Sequence, residues 1–415
     1  MASAQHIAED KQSLLQVYAQ PDDVVISHGK GCYLYDTDGR KFLDLNAGIA
    51  VNALGHGDPE FVAVIQQQAA KIVHLSNLYH NEHAGPLAKK MLDAVGPVGP
   101  FAQGGKVFFS NSGTEANEAA IKFARKYARV AHPDKPNKTR IISFERAFHG
   151  RTLGSLSATP AAKYQAPFMP LVPGFVHTPY NDIEAFLAAI DETVCAVMIE
   201  PVQGEGGIHP ATPGFLTAVR EACDRVGALM VADEIQAGLG RTGTVFAYQG
   251  LAHAVVPDVI TIAKPLANGI PIGAVIMAQP VADSMKPGEH GTTFGGSPFA
   301  TAVATHVWDR ITAPAFLRHV EETGNALSQA MRGLAEAHPR LFKAVRSRGL
   351  MLGLELQDDV APAAFVDRAR AHGALTISAG TNVIRLVPAL IFSEKEIAET
   401  ERIFKLVIQD LETQL

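Results

Sequence analysis

The chain opens with short alternating segments. Cys32-Tyr33-Leu34-Tyr35 and Phe42-Leu43-Asp44-Leu45 flank the polar turn Thr37-Asp38-Gly39-Arg40. Period-two alternation around a turn of this chemistry predicts a β-hairpin. Asp58 followed by Pro59 predicts the cap and first residue of a helix. Compact apolar runs then alternate with amphipathic stretches. Strands are expected at Val107–Phe109, Arg140–Phe144, Cys195–Glu200, Ala228–Asp233, 259–263 and 272–277. Helices are expected from Ser112 to about Arg129, near 181–190 and near 213–226. The strand runs are apolar at successive positions, as in a sheet covered on both faces, and the βαβα order implies that it is mostly parallel. The last hundred residues are patterned differently. Gly349–Leu356 and Val383–Leu386 predict strands, and Ser393–Leu415 a closing helix with Ser393 and Glu396 as its capping box. The expectation is an α/β protein: an N-terminal segment (1–60), a large domain (61–309), and a smaller α/β domain (310–415) that the N-terminal segment completes.

Composition narrows the function. Of 415 residues 47% are hydrophobic and 19% charged, so a sizeable core is affordable and disorder is not expected. The 36 Lys+Arg against 42 Asp+Glu give a net charge of -6, with no long basic run. Nucleic acid and anionic membranes are therefore not expected partners. Cys32, Cys195 and Cys223 are scattered and form no CxxC pair, and His56, His74, His80 and His83 lack metal-ligand spacing. Neither a disulfide framework nor a metal site is expected. The first residues carry Glu9 and Asp10 and no arginine, which suits a cytoplasmic protein better than a transit peptide. A mitochondrial matrix form whose leader had been removed would read the same.

Val259–Ala282 is long enough to span a membrane and holds one charge, Lys264. It also holds Pro265, Pro271, Asn268, Gly269 and Gly273, so two buried strands joined by a loop are the better reading. That places a lysine in an apolar setting, where burial disfavours the charged form and frees an amine for Schiff-base chemistry. The bland alternative is a strand-end lysine reaching to solvent. Ligands of open parallel sheets sit at the carboxyl ends of the strands, so the polar residues just past each apolar run matter most. Ser110-Asn111-Ser112-Gly113-Thr114-Glu115 leads a strand through a glycine turn into a helix with a Ser112/Glu115 capping box. This is either a simple cap or a phosphate cup of backbone N–H groups at Gly113 and Thr114. Asp233 ends the run Leu229-Met230-Val231-Ala232. There it either pairs with an arginine or holds a protonated heterocyclic nitrogen. A phosphate cup, an acid for a ring nitrogen and a desolvated lysine on one rim are together what pyridoxal 5′-phosphate requires.

Five segments carry a more specific likeness. They are Ser112-Gly113-Thr114-Glu115-Ala116-Asn117, Phe148-His149-Gly150-Arg151-Thr152, Glu200-Pro201-Val202-Gln203-Gly204-Glu205-Gly206-Gly207, Asp233-Glu234-Ile235-Gln236 and Gly291-Thr292-Thr293-Phe294-Gly295-Gly296. In this order, from about residue 25 to the C-terminus, the chain resembles the class III pyridoxal-phosphate-dependent aminotransferases, of fold type I. The resemblance implies that Lys264 holds the cofactor and shuttles the proton. It implies Asp233 on the pyridine nitrogen, Gln236 on the phenolic oxygen, Phe148 on the ring face, and Gly113 and Thr114 on the phosphate. It implies a homodimer in which Thr293 of a second copy joins the phosphate site and Thr292 lies beside substrate. Arg151 is implied as a substrate-carboxylate clamp, and Arg385 as a second clamp with Glu200 its resting partner. The implied reaction moves a terminal amine to 2-oxoglutarate. N2-acetyl-L-ornithine is the first expectation for donor, and succinylornithine, ornithine or 4-aminobutyrate are alternatives. The run Pro265-Leu266-Ala267-Asn268-Gly269 and Ile235 depart from the commonest family pattern beside the cofactor.

Two rival readings remain at this level. Gly238-Leu239-Gly240-Arg241-Thr242-Gly243 matches GxGxxG, and Asp258 follows at about the spacing of a ribose-binding acid, as in a nicotinamide-dependent dehydrogenase. Asp233 and Glu234 stand just before the glycines and would repel a pyrophosphate, and Asp258 precedes its apolar run instead of following it. The other rival is a catalytically silent member of the fold, since a fold does not secure an activity.

Overall fold

The computed structural model describes residues 2–252 and 254–413. Its strands are β1 (Ile26–Lys30), β2 (Tyr33–Asp36), β3 (Lys41–Asp44), β4 (Gly105–Ser110), β5 (Arg140–Phe144), β6 (Phe175–Thr178), β7 (Val194–Ile199), β8 (Val202–Gln203), β9 (His209–Pro210), β10 (Leu229–Asp233), β11 (Val259–Ile262), β12 (Gly273–Ala278), β13 (Phe342–Arg348), β14 (Met351–Leu356), β15 (Ala374–Leu375), β16 (Ile377–Ala379) and β17 (Val383–Leu386). Seven of them form the central sheet, in the order β4-β12-β11-β10-β7-β5-β6.

All neighbours in this sheet pair in parallel except at β12, which runs against both β11 and β4. The connection Ala263–Ile272 is too short for the helical crossover that a parallel pair needs, so β12 must turn back. The strands sort their side chains with period two. Ile141, Met198 and Val231 face the cluster that contains Ala116, Ala120 and Phe123. Their chain neighbours Ile142, Val197 and Met230 face the cluster that contains Phe215, Leu216 and Val219. Helices Gly113–Ala131 and Pro213–Val226 thus cover opposite faces. This is why β7 and β10 are buried at every position and show no alternation in sequence. The apolar span at Lys264 is two strands and a turn, and among the described residues no helix is long and apolar enough to cross a membrane.

β6 was not anticipated. It is a short edge strand in which only Thr178 is fully buried, so its hydrophobic signal is weak. The N-terminal hairpin β2–β3 forms as expected, and β15, from the far end of the chain, pairs in parallel with β3. β13, β14, β17 and β16 form a separate antiparallel sheet. The closing helix Glu394–Glu412 starts after Ser393, but the expected capping box is not made. Ser393 Oγ donates directly to the Glu396 carboxylate, which also accepts from the Tyr33 hydroxyl at 3.1 Å. The pair serves to tie the helix to the N-terminal hairpin.

Candidate active site

The strand ends converge on one cavity of about 350 Å³, within the range of small-molecule sites. Its walls include Gly113, Thr114, Phe148, Arg151, Glu200, Asp233, Gln236 and Lys264. β11 ends at Ile262, two residues before Lys264, and Asp233 is in register with Thr261 on the neighbouring strand. Strand pairing therefore brings the amine and the carboxylate to the same rim.

Ser112 caps helix Gly113–Ala131, its Oγ accepting from the Glu115 N–H at 3.3 Å. The reciprocal half of the expected box is shifted by one residue: the Glu115 carboxylate accepts from the Asn111 N–H at 2.6 Å. The first N–H groups of a helix have no partner within it, and the helix dipole makes this end favourable for an anion. Two glycines make room there. A Cβ on Gly113 would lie 2.9 Å from the Ile235 side chain, and one on Gly150 (φ +135) 2.2 Å from Thr114 Oγ1. Thr114 Oγ1 is fixed by the hydroxyls of Ser155 at 2.6 Å and Thr152 at 2.8 Å.

Asp233 is buried, and among the described residues it has no arginine partner. Its Oδ2 accepts from His149 Nδ1 at 2.7 Å and Asn117 Nδ2 at 2.8 Å, and its Oδ1 from the Ile235 N–H at 3.1 Å. Asn117 in turn accepts from Thr261 Oγ1 at 2.8 Å. A carboxylate only accepts, so His149 must carry its proton on Nδ1. Burial opposes a charge on His149, but the hydrogen bond and the charge of Asp233, with Glu200 nearby, carry its pKa above the ordinary histidine value. His149 and Asn117 are site residues to which the sequence alone assigns no role. Both lie inside the recognised motifs, but only their burial against Asp233 reveals the role.

Among the described residues, Lys264 Nζ has no hydrogen-bond or ion-pair partner. Burial lowers its pKa, and the Arg385 charge lowers it further. The amine faces the cavity, so the solvent-reaching alternative does not describe it. Phe148 forms part of the wall, and the Arg151 guanidinium stacks 3.7 Å from the centroid of Tyr164. Arg151 is exposed at the mouth, with no ion-pair partner among the described residues.

One expectation needs correction. Arg385 is buried, but its carboxylate partner is Glu205, with Nη2 2.9 Å from Oε2. Glu200 sits apart, accepting from the N–H groups of Phe148 at 2.9 Å and Gly204 at 3.1 Å. Burial pushes its carboxyl up to about 7, with His149 opposing and Asp233 adding to the rise. The two glutamates share one short motif, and the chain reversal through Gly204, Gly206 and Gly207 turns the second, not the first, toward Arg385. Thr292 and Thr293 line a separate cavity within this chain, where Thr292 Oγ1 accepts from Asn111 Nδ2 at 3.0 Å.

The glycine run 238–243 is no nucleotide loop. Arg241 is buried within it and donates to the carbonyls of Leu350 and Pro388. Asp258 is engaged by Arg220 at 2.7 Å.

The profile of the class-III aminotransferases matches residues 16–408. The chain belongs to this family. It is 45% identical over 403 residues, 97% of this chain and 87% of the relative, to a protein of Neurospora crassa named acetylornithine aminotransferase, mitochondrial. A crystal structure of N-acetylornithine aminotransferase from Stenotrophomonas maltophilia superposes with a TM-score of 0.83 at 37% identity, covering 99% of this chain and 100% of that one. An ornithine aminotransferase of Toxoplasma gondii, described with partial occupancy of PLP at its active site, gives 0.91 at 32% identity, covering 98% and 95%. Of these two structures the ornithine enzyme has the higher TM-score and the acetylornithine enzyme the higher identity.

Within this class-III aminotransferase the residues present fit pyridoxal 5′-phosphate. An unpaired amine, a buried acid and a glycine-lined helix N-terminus face one cavity.

Proposed function

We propose that this aminotransferase moves the terminal amine of N2-acetyl-L-ornithine to 2-oxoglutarate, giving N-acetyl-L-glutamate 5-semialdehyde and L-glutamate. The observation that carries the reading is the unpaired, desolvated Lys264 amine in the same cavity as the Asp233–His149 pair. The names of the relatives support the donor.

When bound, pyridoxal phosphate supplies an aldehyde for amines and a ring that accepts the electrons left by a departing proton. Lys264 would hold it and, when free of it, would serve as the base for a proton of the substrate carbon; burial lowers its pKa, which favours the neutral amine this task needs. Asp233, fixed by three donors, would hold the ring nitrogen in its protonated form. Gly113, Thr114 and the helix dipole would hold the phosphate, and Phe148 would pack on the ring. Arg151 grips the donor's α-carboxylate with its planar fork. Arg385 stays on Glu205 for the donor, whose reacting carbon carries no carboxylate. It turns to 2-oxoglutarate in the second half-reaction, where the reacting carbon does carry one.

A homodimer completes the reading, with Thr293 of a second copy at the phosphate and Thr292 at the substrate. Ile72, Val73, Leu78, Tyr79 and Phe294 are large exposed hydrophobics. Asn77 bonds to the carbonyls of Thr292 and Gly295 at 3.0 Å, joining the two segments into one apolar surface that supports such a partner. Steady-state kcat/KM for acetylornithine, succinylornithine, ornithine and 4-aminobutyrate, with 2-oxoglutarate fixed, tests the donor. A preference for free ornithine would overturn it and leave the reaction class standing.

A further inference from the structure

The gate arginine and the cofactor site are joined by one side chain. Arg385 is 2% exposed, with Nη2 on Glu205 and Nη1 3.1 Å from Gln236 Oε1. Gln236 is 6% exposed and lines the cavity with Asp233 and Lys264. Its carboxamide is wedged against the backbone of Gly204, where a Cβ would lie 2.2 Å from Oε1. Gly204 is itself held by its N–H on Glu200.

A guanidinium has only donors, so the carboxamide atom that meets Arg385 must be the oxygen. The NH2 group then takes the other direction. Among the described residues it has no protein partner. An amide released from Arg385 could turn over and present its oxygen to the cavity instead, where a phenolate would be repelled.

Resting on the pyridoxal-phosphate reading above, we propose that Gln236 is a positioning residue that couples the gate to the cofactor. Arg385, in its Glu205-bound state, sets the carboxamide so that its NH2 donates to the ring's phenolic oxygen. Arg385 therefore supports the donor half-reaction, in which it touches no substrate. The gate residue does two things through one planar group: it selects the second substrate and it orients a hydrogen bond for the first.

The test uses the substrate-free holoenzyme and reads the pH at which the visible absorption of the bound cofactor changes. Arg385→Met should shift that midpoint, corresponding to about a twofold to tenfold change in proton affinity, the size of one hydrogen bond. In a Gln236→Met background the same substitution should produce less than half of that shift. Arg385→Lys keeps the charge but loses the planar fork, and should shift the midpoint in the same direction as Arg385→Met. Single-turnover rates with acetylornithine should fall in Arg385→Met as well. Equal shifts in both Gln236 backgrounds, or no shift in Arg385→Lys, would show that Arg385 acts only by its charge, and the proposal is then wrong. Borohydride reduction and peptide mass at Lys264 keep the two levels apart. A cofactor fixed to Lys264 with background-independent shifts removes the coupling alone. No adduct at Lys264 removes the underlying reading and the coupling with it.

Discussion

His149→Leu isolates the support beneath Asp233. The substitution keeps an apolar side chain of comparable reach and removes the 2.7 Å donor to Oδ2, leaving Asn117 and the Ile235 N–H. His149 has no exposed side-chain surface, so water does not replace the lost partner. A hydrogen bond to a charged group contributes roughly 1.5–3 kcal/mol, and a neutral one roughly 0.5–1.5. The sign of the pH dependence follows from linkage. The folded-state pKa of His149 is raised, so its extra stabilisation is complete below the unfolded value, about 6.5. It is lost as pH rises through the folded value. The groups that share its surroundings are Asp233, Glu200 and His177. Urea unfolding of both proteins near pH 6 and pH 9 measures the effect. The deficit of His149→Leu should be roughly 1.5–3 kcal/mol at the lower pH and about 1 kcal/mol smaller at the higher. A deficit independent of pH, or larger at pH 9, would refute a charged His149–Asp233 pair.

Other outcomes follow from the same geometry. Gly150→Ala forces a Cβ to 2.2 Å from Thr114 Oγ1 at a φ of +135; strain of about 1–3 kcal/mol should appear as weaker pyridoxal-phosphate binding in equilibrium dialysis. Glu205→Gln weakens the carboxylate contact of buried Arg385, and should change the balance between acetylornithine and 2-oxoglutarate half-reactions by tenfold or so, about 1.4 kcal/mol. If Glu200→Gln, rather than Glu205→Gln, moves that balance, Glu205 is not the resting partner. Glu200 has its carboxyl raised to about 7, so its contribution to stability is present below the unfolded carboxylate range and lost as pH rises through 7. The stability of Glu200→Gln relative to the parent should therefore improve between pH 5 and pH 8, as read by urea midpoints. Lys264→Ala should abolish the borohydride-fixed mass on the chain while leaving the fold intact.

The amino-acid sequence by itself determined what depends on near neighbours. The Tyr33–Asp44 hairpin, the Asp58–Pro59 helix start, the buried runs of β7 and β10 and the glycine turn at Gly113 are set by local dihedral preferences and by two-faced burial. Each was legible for that reason. So was the placing of Asp233 and Lys264 at strand ends, because a polar residue directly after an apolar run can only be a rim residue. β6 escaped because an edge strand is only half buried, and the Ser393 cap because its hydroxyl found a stronger acceptor in a side chain drawn in by Tyr33. Only the tertiary structure decided that His149 and Asn117 meet Asp233, that Gln236 touches Arg385, and that Glu205 rather than Glu200 faces the guanidinium. These are contacts between segments far apart in sequence, brought together by the packing of strand ends, a helix and a glycine-rich reversal. A motif names the residues that enter such a loop; the direction in which each carboxylate points is fixed by backbone dihedrals and by the packing that surrounds them.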